Sequence, residues 1–427
     1  MGTQYINKAV QNMRRLLGSG IFILVMLLID WYVFQSVKLV SQQASTKVKI
    51  LIYGLYWSVT ICAVAVFLFG SMMNFDSWSK SLRIYFFATL IGLFIGKFVA
   101  ATIFLVDDLR RLLHWGGGKL YYQFIQNENF SSSTITRSTF MSWLGLGIGS
   151  GLFGTLLWGF GNKYKYQLQK QSLAFNELPE AFRGLKIMHI SDIHSGSFTD
   201  KKSVEKGVDK ILAANADIIL FTGDLVNDRA DEMHDYQEMF SRLKAPMGIY
   251  STLGNHDYGD YHSWPSPEAK RANLERLKQI HHEMGWRLLM NEHVVLEKDG
   301  QQMALIGVEN WSAKANFPRY GKLPQAYKGA ENYPFKILMS HDPSHWDAEV
   351  RKDFKDIQLM LSGHTHGMQF GLEIPGFKWS PVQYVYKQWA GLYEDGPQKL
   401  YINRGFGFLG YPGRVGILPE ITLIELT

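Results

Sequence analysis

Four long apolar runs, roughly 19–40, 48–70, 84–106 and 140–160, occupy the first part of the chain. Each reaches the ~20 residues that a helix needs to cross a bilayer core. From Leu185 onward the pattern changes to short apolar runs divided by polar or helical stretches. The runs predict strands at Leu185–Ile190, Asp217–Phe221, Gly248–Leu253, Met303–Val308, Phe335–Met339, Ile357–Leu361, Lys399–Ile402 and Ile421–Ile424. Helices are predicted over Ser203–Asn215, Glu232–Leu243 and Pro267–Met284. Strands that alternate with helices and then give way to strand-rich sequence point to an α/β sandwich with mixed sheets. The chain thus divides into a transmembrane domain (1–162), a linker (163–184) and an α/β domain (185–427).

Charge follows the same division. Residues 1–170 hold 16 Lys and Arg against 5 Asp and Glu, whereas residues 171–427 hold 28 against 33. The basic excess therefore belongs to the membrane-facing part, where it attracts anionic headgroups. The α/β domain is slightly acidic and carries no basic cluster, which argues against nucleic acid as a partner. Cys62, the single cysteine, lies inside an apolar run and excludes an intramolecular disulfide.

The first apolar run is too long and continuous for a cleaved signal peptide. Asp30 and Lys97 fall inside the first and third runs, either as an interior pair or in contact with a charged lipid headgroup, because ionisable groups there are costly. In the fourth run Gly145/Gly149 and Gly147/Gly151 fit the small-residue spacing of close helix packing. The Asp107–Leu120 stretch reads either as an interfacial helix ended by Gly116–Gly118 or as an ordinary solvated loop. Lys and Arg counts on the two sides differ by one, so the positive-inside rule gives only a slight lean toward a cytoplasmic α/β domain. The Thr136–Phe140 stretch faintly resembles a twin-arginine export signal with one arginine missing. A multi-pass protein of a bacterial inner membrane is the expectation.

Five polar motifs each follow a predicted strand: Ser191-Asp192-Ile193-His194, Gly223-Asp224, Gly254-Asn255-His256-Asp257, Ser340-His341-Asp342 and Gly363-His364-Thr365-His366. Ligands in open α/β sheets bind beyond the carboxyl ends of strands. Asp192 and His194, like His364 and His366, are two apart, so an extended backbone points each pair to one side. Mixed carboxylate, amide and imidazole donors suit Mn, Fe, Zn or Co better than calcium. Two such ions clamp a phosphoryl group for in-line attack.

The order D-x-H, GD, GNHD, H and GHTH resembles the calcineurin-like metallophosphoesterases from Leu185 to Thr427. The resemblance implies two mixed sheets flanked by helices and two divalent metal ions. It implies Asp192, His194, Asp224 and His366 as ligands of one ion. Asp224 as bridge, with Asn255, His341 and His364, would hold the other. His256 matches the histidine that protonates or stabilises the leaving oxygen, and Asn255 also faces the substrate. The run Asn403–Gly407, with Pro412 and Arg414, resembles the membrane-associated branch of the family. That branch includes exported phosphodiesterases and a UDP-2,3-diacylglucosamine diphosphatase. Two departures stand out: Met368 replaces a glycine after GHTHG, and no acidic partner for His256 is placed by spacing.

Arg404 is a candidate for binding substrate phosphate, since a guanidinium matches phosphate oxygens bidentately; a structural ion pair is the alternative. His189 and His345 read as structural, and His281 and His282 as solvent-facing. Phe377, Trp379, Tyr384, Tyr386 and Trp389 form an aromatic group suited either to a lipid interface or to hairpin packing. The combined expectation is a membrane-anchored phosphoesterase acting on a phosphorylated lipid or lipid-linked substrate, with membrane lipids as partners. A soluble nucleotide or phosphodiester substrate and a non-catalytic sensor are the alternatives. The sequence does not fix the oligomeric state.

Overall fold

The computed structural model describes residues 2–69, 75–121, 139–314 and 317–427. They form two compact units, Met1–Leu157 and Trp158–Thr427.

The first unit contains the helices α1 (Gly2–Val40), α2 (Thr46–Phe69), α3 (Lys80–Tyr121) and most of α4 (Thr139–Gly159). All four are long and apolar enough to cross a membrane, and the chain is a multi-pass membrane protein. Within the unit the Lys97 ammonium lies 2.5 Å from Asp30 Oδ1. Tyr56 donates its hydroxyl to the Asp30 carbonyl, and Lys97 donates to Thr60 Oγ1. The two charges are therefore an interior pair that joins α1 to α3. Removing one partner of a buried pair costs about 3–5 kcal/mol, because the other charge is left uncompensated. Asp30→Ala in the purified full chain should accordingly lower the thermal unfolding midpoint. Adding Lys97→Met should recover much of the loss, and an undisturbed single variant would contradict the pairing.

Gly149 meets Gly96 so closely that a Cβ on either would overlap the other's carbonyl oxygen, and Gly145 makes room for Phe104. Of the two predicted glycine pairs, Gly145/Gly149 forms the close contact, whereas nothing packs on Gly147 or Gly151. The predicted break at Gly116–Gly118 does not occur, since α3 runs through those glycines to Tyr121. Each glycine costs a helix only about 1 kcal/mol relative to alanine. The Arg137 motif lies largely outside the described residues.

The second unit is built on two six-stranded sheets. One contains, in spatial order, β1 (Gln167–Leu173), β14 (Glu420–Leu426), β2 (Lys186–Ile190), β3 (Ile218–Phe221), β4 (Ile249–Ser251) and β5 (Arg287–Leu288). The other contains β12 (Gly391–Asp395), β13 (Gln398–Ile402), β9 (Leu359–Ser362), β8 (Lys336–Met339), β7 (Gln301–Gly307) and β6 (Glu292–Lys298). β2 to β5 run parallel, as do β7, β8, β9 and β13, while β14, β6 and β12 pair antiparallel to a neighbour. A separate hairpin joins β10 (Leu372–Ile374) to β11 (Phe377–Trp379).

Side-chain alternation explains the layering. Ile187, Ile218 and Leu220 face Ile337, Met339, Leu359 and Leu361 in a core between the sheets. Met188, Ile190, Ile219 and Phe221 face the opposite way, against the helices Lys201–Ala213 and Pro267–Glu283. Leu338 and Met360 pack outward against Trp346 and Leu323. The result is a mixed α/β sandwich flanked by helices.

Three sequence expectations need correction here. Gln167–Leu173, inside the stretch read as linker, is a strand paired in parallel with β14. The helix expected over Glu232–Leu243 is reduced to short turns at Ala230–Met233 and Gln237–Phe240. His281 is fully buried rather than solvent-facing, with Nδ1 3.0 Å from Ser251 Oγ. It shares the inner face of its helix with Leu277 and Ile280, one turn apart. Burial holds its imidazole neutral, lowered to about 3.

Candidate metal centre

The carboxyl ends of β2, β3, β4, β8 and β9 carry the five polar motifs, so the two sheets bring them to one place. The chain leaves these strands through a strained backbone. Asp192, His194, Asp224, His364 and His366 have φ between +48° and +69°. Left-handed backbone costs an L-residue roughly 1–2 kcal/mol, less for Asp, and strain of this kind clusters at functional sites. Cross-links between loops hold it in place: the amides of Asp192, His194 and Gly363 donate to the carbonyls of Gly223, Asp224 and His341 at 2.9–3.1 Å. Gly363 and Gly254 are required by space, since a Cβ would collide with the carboxylates of Asp192 and Asp224 respectively.

Two groups of donor atoms result. Asp192, His194 and His366 make one, and Asp224, His341 and His364 the other. In the first, the Nε2 atoms of His194 and His366 are 3.1 Å apart, and His366 Nε2 is 3.2 Å from Asp192 Oδ1. Asp224 Oδ2 lies between the groups, 3.5 Å from His194 Nε2 and 3.1 Å from His341 Nε2. His341 Nε2 is buried and makes no aligned hydrogen bond. Asn255 Oδ1 closes the second group at 2.8 Å from His364 Nδ1. Donors bound at about 2.0–2.2 Å around one divalent ion are themselves roughly 3 Å apart. The spacing and donor set fit divalent metal ions.

Electrostatics agree with a cation site. Against the penalty of burial, His341, His256 and His194 hold the Asp224 carboxyl well below its ordinary value. Burial opposes charge on His341 as well, yet the Asp224 carboxylate lifts its imidazole to about 10. His194 is lowered to about 3, chiefly by burial.

The imidazoles are aimed by groups behind them, the usual means of fixing tautomer and ring orientation. His341 Nδ1 donates to the Thr222 carbonyl at 2.8 Å, which leaves Nε2, facing Asp224, as the nitrogen that a metal ion would take in place of a proton. Tyr386 Oη, 2.9 Å from His364 Nε2, donates onward to Asp342 Oδ2 at 3.1 Å. That chain places the His364 proton on Nε2 and the lone pair of Nδ1 beside Asn255. Removing such a group typically weakens metal binding 10- to 100-fold. Tyr386→Phe should do so in a metal titration of the full chain, and unchanged affinity would dismiss the role.

His256 sits beside both groups, its ring centroid 5.0 Å from that of His194. Its amide donates to Asp224 Oδ1 at 2.9 Å, and its Nδ1 is 2.7 Å from the Asn227 carbonyl. The partner that spacing could not supply is thus a backbone oxygen. Asp257 accepts from the amides of Gly254, Asp224 and Leu225 at 2.8 Å each, and so ties the GNHD loop to the GD loop.

The Arg404 guanidinium is engaged by two carboxylates of the protein. It is buried between Glu420 and Glu373, the ion-pair alternative, and those carboxylates raise its pKa against the penalty of burial. Arg414, noted only as part of a C-terminal run, is fully buried and donates to the carbonyls of Arg404, Gly405 and Gly407. Its Nη2 also lies 3.3 Å from His366 Nδ1. His189 and His345 are structural, bonded to Thr222 and to Ser340 and Glu349. His282 is exposed, as expected. Tyr386, Asp342, Asp257 and Arg414 lie in or near the motifs, but no spacing rule marks their contacts.

Comparison with known proteins agrees with this geometry. Residues 13–162 match the family model "Probable Calcineurin-like phosphoesterase, transmembrane domain", and residues 185–368 match "Calcineurin-like phosphoesterase". The chain is 29% identical over 257 residues to a "Transmembrane protein with metallophosphoesterase domain" of Danio rerio, covering 58% of this chain and 55% of that one. It therefore spans only about half of that relative's length. It is 28% identical to the metallophosphoesterase YkuE of Bacillus subtilis, with 64% of this chain and 92% of the relative covered. Phosphodiesterase YaeI of Escherichia coli is 28% identical, with 61% and 88% covered.

Proposed function

This chain belongs to the calcineurin-like phosphoesterases, metal-dependent hydrolases of phosphoric esters, and on that footing we propose that it cleaves a phosphoester or pyrophosphate bond of a lipid or lipid-linked substrate with two divalent metal ions. The observation that carries the two-ion reading is the position of Asp224 Oδ2 between His194 and His341. Asp192, His194 and His366 would hold one ion; Asn255, His341 and His364 the other; Asp224 would serve both. Such a pair, drawn from Mn, Fe, Zn or Co, polarises a phosphoryl group and lowers the pKa of an attacking water.

The remaining work falls to the protein. His256 keeps its Nδ1 proton on the Asn227 carbonyl. Nε2, once it carries the second proton of the imidazolium, is then free to give it to the departing oxygen, and the ring returns to its neutral form. Asn255 Nδ2 is held by Tyr261 Oη at 2.9 Å, so its Oδ1 stays turned toward His364. Asp257 fixes the two loops against each other, and with them the distance from His256 to Asp224.

The lipid assignment is supported by the way the chain is built. Seven residues separate the end of α4 from the start of β1, so the hydrolase is tethered close to a bilayer. A bacterial inner membrane is the location we propose, and the slight lysine and arginine bias leans toward a cytoplasmic hydrolase. Turnover by the full chain in lipid nanodiscs, compared on phospholipid esters and on nucleotides, tests the substrate class. Preference for the lipid ester is the expected result. Hydrolysis of nucleotides alone would leave the helices as an anchor, and no hydrolysis of either would favour a sensor.

A further inference from the structure

The hairpin β10–β11 turns an apolar face outward. In its register Leu372 faces Trp379 and Ile374 faces Phe377, so these four side chains share one face. Leu372, Ile374 and Phe377 are each about half exposed, at 48%, 51% and 52%. The opposite face carries Glu373, which is exposed, and Lys378, which is half-buried, and both are bound to protein groups. Glu373 pairs with buried Arg404, and Lys378 donates to the Ala390 carbonyl at 2.6 Å and to Tyr393 Oη at 3.2 Å. A hairpin on a water-facing surface normally buries its apolar face and solvates its charges. Here both charges find protein partners, while Leu372, Ile374 and Phe377 on the apolar face stay about half exposed.

The surroundings extend the feature. Among the described residues after Phe160, eight large apolar side chains are exposed. Six of them, Met368, Leu372, Ile374, Phe377, Tyr384 and Val385, fall within 368–385. Trp379 Nε1 reaches Tyr384 Oη at 3.4 Å, and Tyr384 is 77% exposed. Contiguous apolar surface of this kind marks an interaction site. The aromatic group of the sequence thus divides: Tyr386 and Trp389 are buried, whereas Phe377 and Tyr384 face outward. Lys387, exposed two residues beyond Val385, adds a cation at the edge of the patch.

The patch is coupled to the metal centre. Ser380 Oγ, next to β11, donates to the Gly367 carbonyl at 2.8 Å, one residue beyond His366. Met368 follows directly and is 54% exposed.

We propose that the outward face of β10–β11, with Tyr384 and Met368, enters the headgroup region of the bilayer and forms the lip over which an acyl-chain-bearing phosphoester reaches the metal centre. The inference rests on the hydrolase reading for its substrate, but the membrane contact stands on the hairpin alone. A bilayer is the occupant favoured by the chain itself, which carries four membrane-crossing helices. Trp and Tyr at the edge of an aliphatic surface, with a nearby lysine, are the side chains that bilayer interfaces select.

The test places a polarity-sensitive fluorophore at Phe377→Cys in the full chain with Cys62→Ala. The protein is held in nanodiscs of phosphatidylcholine and phosphatidylglycerol. Blue-shifted emission, quenched by nitroxide-bearing lipid, is expected, with neither effect for a label at Asp299→Cys in the β6–β7 turn. Tyr384→Cys provides a second reporter should the first variant fold poorly. Water-like emission at both sites would overturn the proposal. So would a blue shift without lipid quenching, which would mean a protein partner or a second copy. Hydrolysis of bis(p-nitrophenyl) phosphate by the same samples keeps the two readings apart: a lipid-quenched label without hydrolysis counts against the hydrolase only, and hydrolysis with a water-exposed label counts against the lip only. Leu372→Glu with Ile374→Glu should then weaken use of a bilayer-embedded ester by about tenfold or more, while bis(p-nitrophenyl) phosphate turnover stays unchanged.

Discussion

Alanine in place of Asp224 is expected to reduce hydrolysis by the full chain to metal-independent background, on every ester tested. The carboxylate stands within 3.5 Å of an imidazole from each donor group, so its loss removes a charge from both at once. Oδ1 also accepts the amide of His256, and that donor would be left buried without its acceptor. The penalty for such an orphaned group is about 1–3 kcal/mol, enough to lower the melting temperature without unfolding the protein. Glycine should be the milder replacement for the fold, because Asp224 sits at φ +61°, where a Cβ is penalised. Turnover, bound metal and melting temperature of the two variants check this. Near-normal activity in either variant would reject a shared carboxylate.

His256→Ala should lower kcat by about 10²- to 10⁴-fold on an alkyl phosphoester, the range for loss of a positioned general acid. The loss should shrink sharply when the leaving group is p-nitrophenolate, which departs without a proton. Metal content should be unchanged, since the His256 ring is held by the Asn227 carbonyl and belongs to neither donor group. Parallel kinetics on alkyl and nitrophenyl esters decide the matter. Equal losses on both would mean that His256 only shapes the site.

The motifs of the candidate metal centre were legible because each is a short polar signature directly after a buried strand, and parallel strands deliver their ends to one edge. The sheet strands that carry the motifs follow from apolar runs, and all eight predicted strands are present. β1 was hidden because its sequence, Gln167–Leu173, is mostly polar and half-exposed at a sheet edge, so it shows no alternation. His281 was misplaced because a histidine on a polar helix looks solvated until the buried stripe of Leu277 and Ile280 is known. Arg404 stays open between a phosphate ligand and an ion pair in the sequence because its partners Glu420 and Glu373 lie 16 and 31 positions away. The aiming of His364 by Tyr386 and Asp342 joins residues 22 and 44 positions apart, and no local pattern encodes such a contact.

Crystals of the full chain grown with Mn²⁺ and measured for anomalous scattering put the central claim to its most direct trial. Two peaks about 3.5–4 Å apart, one beside Asp192, His194 and His366 and the other beside Asn255, His341 and His364, with the Asp224 carboxylate between them, are the expected result. A single peak, or peaks remote from Asp224, would contradict it.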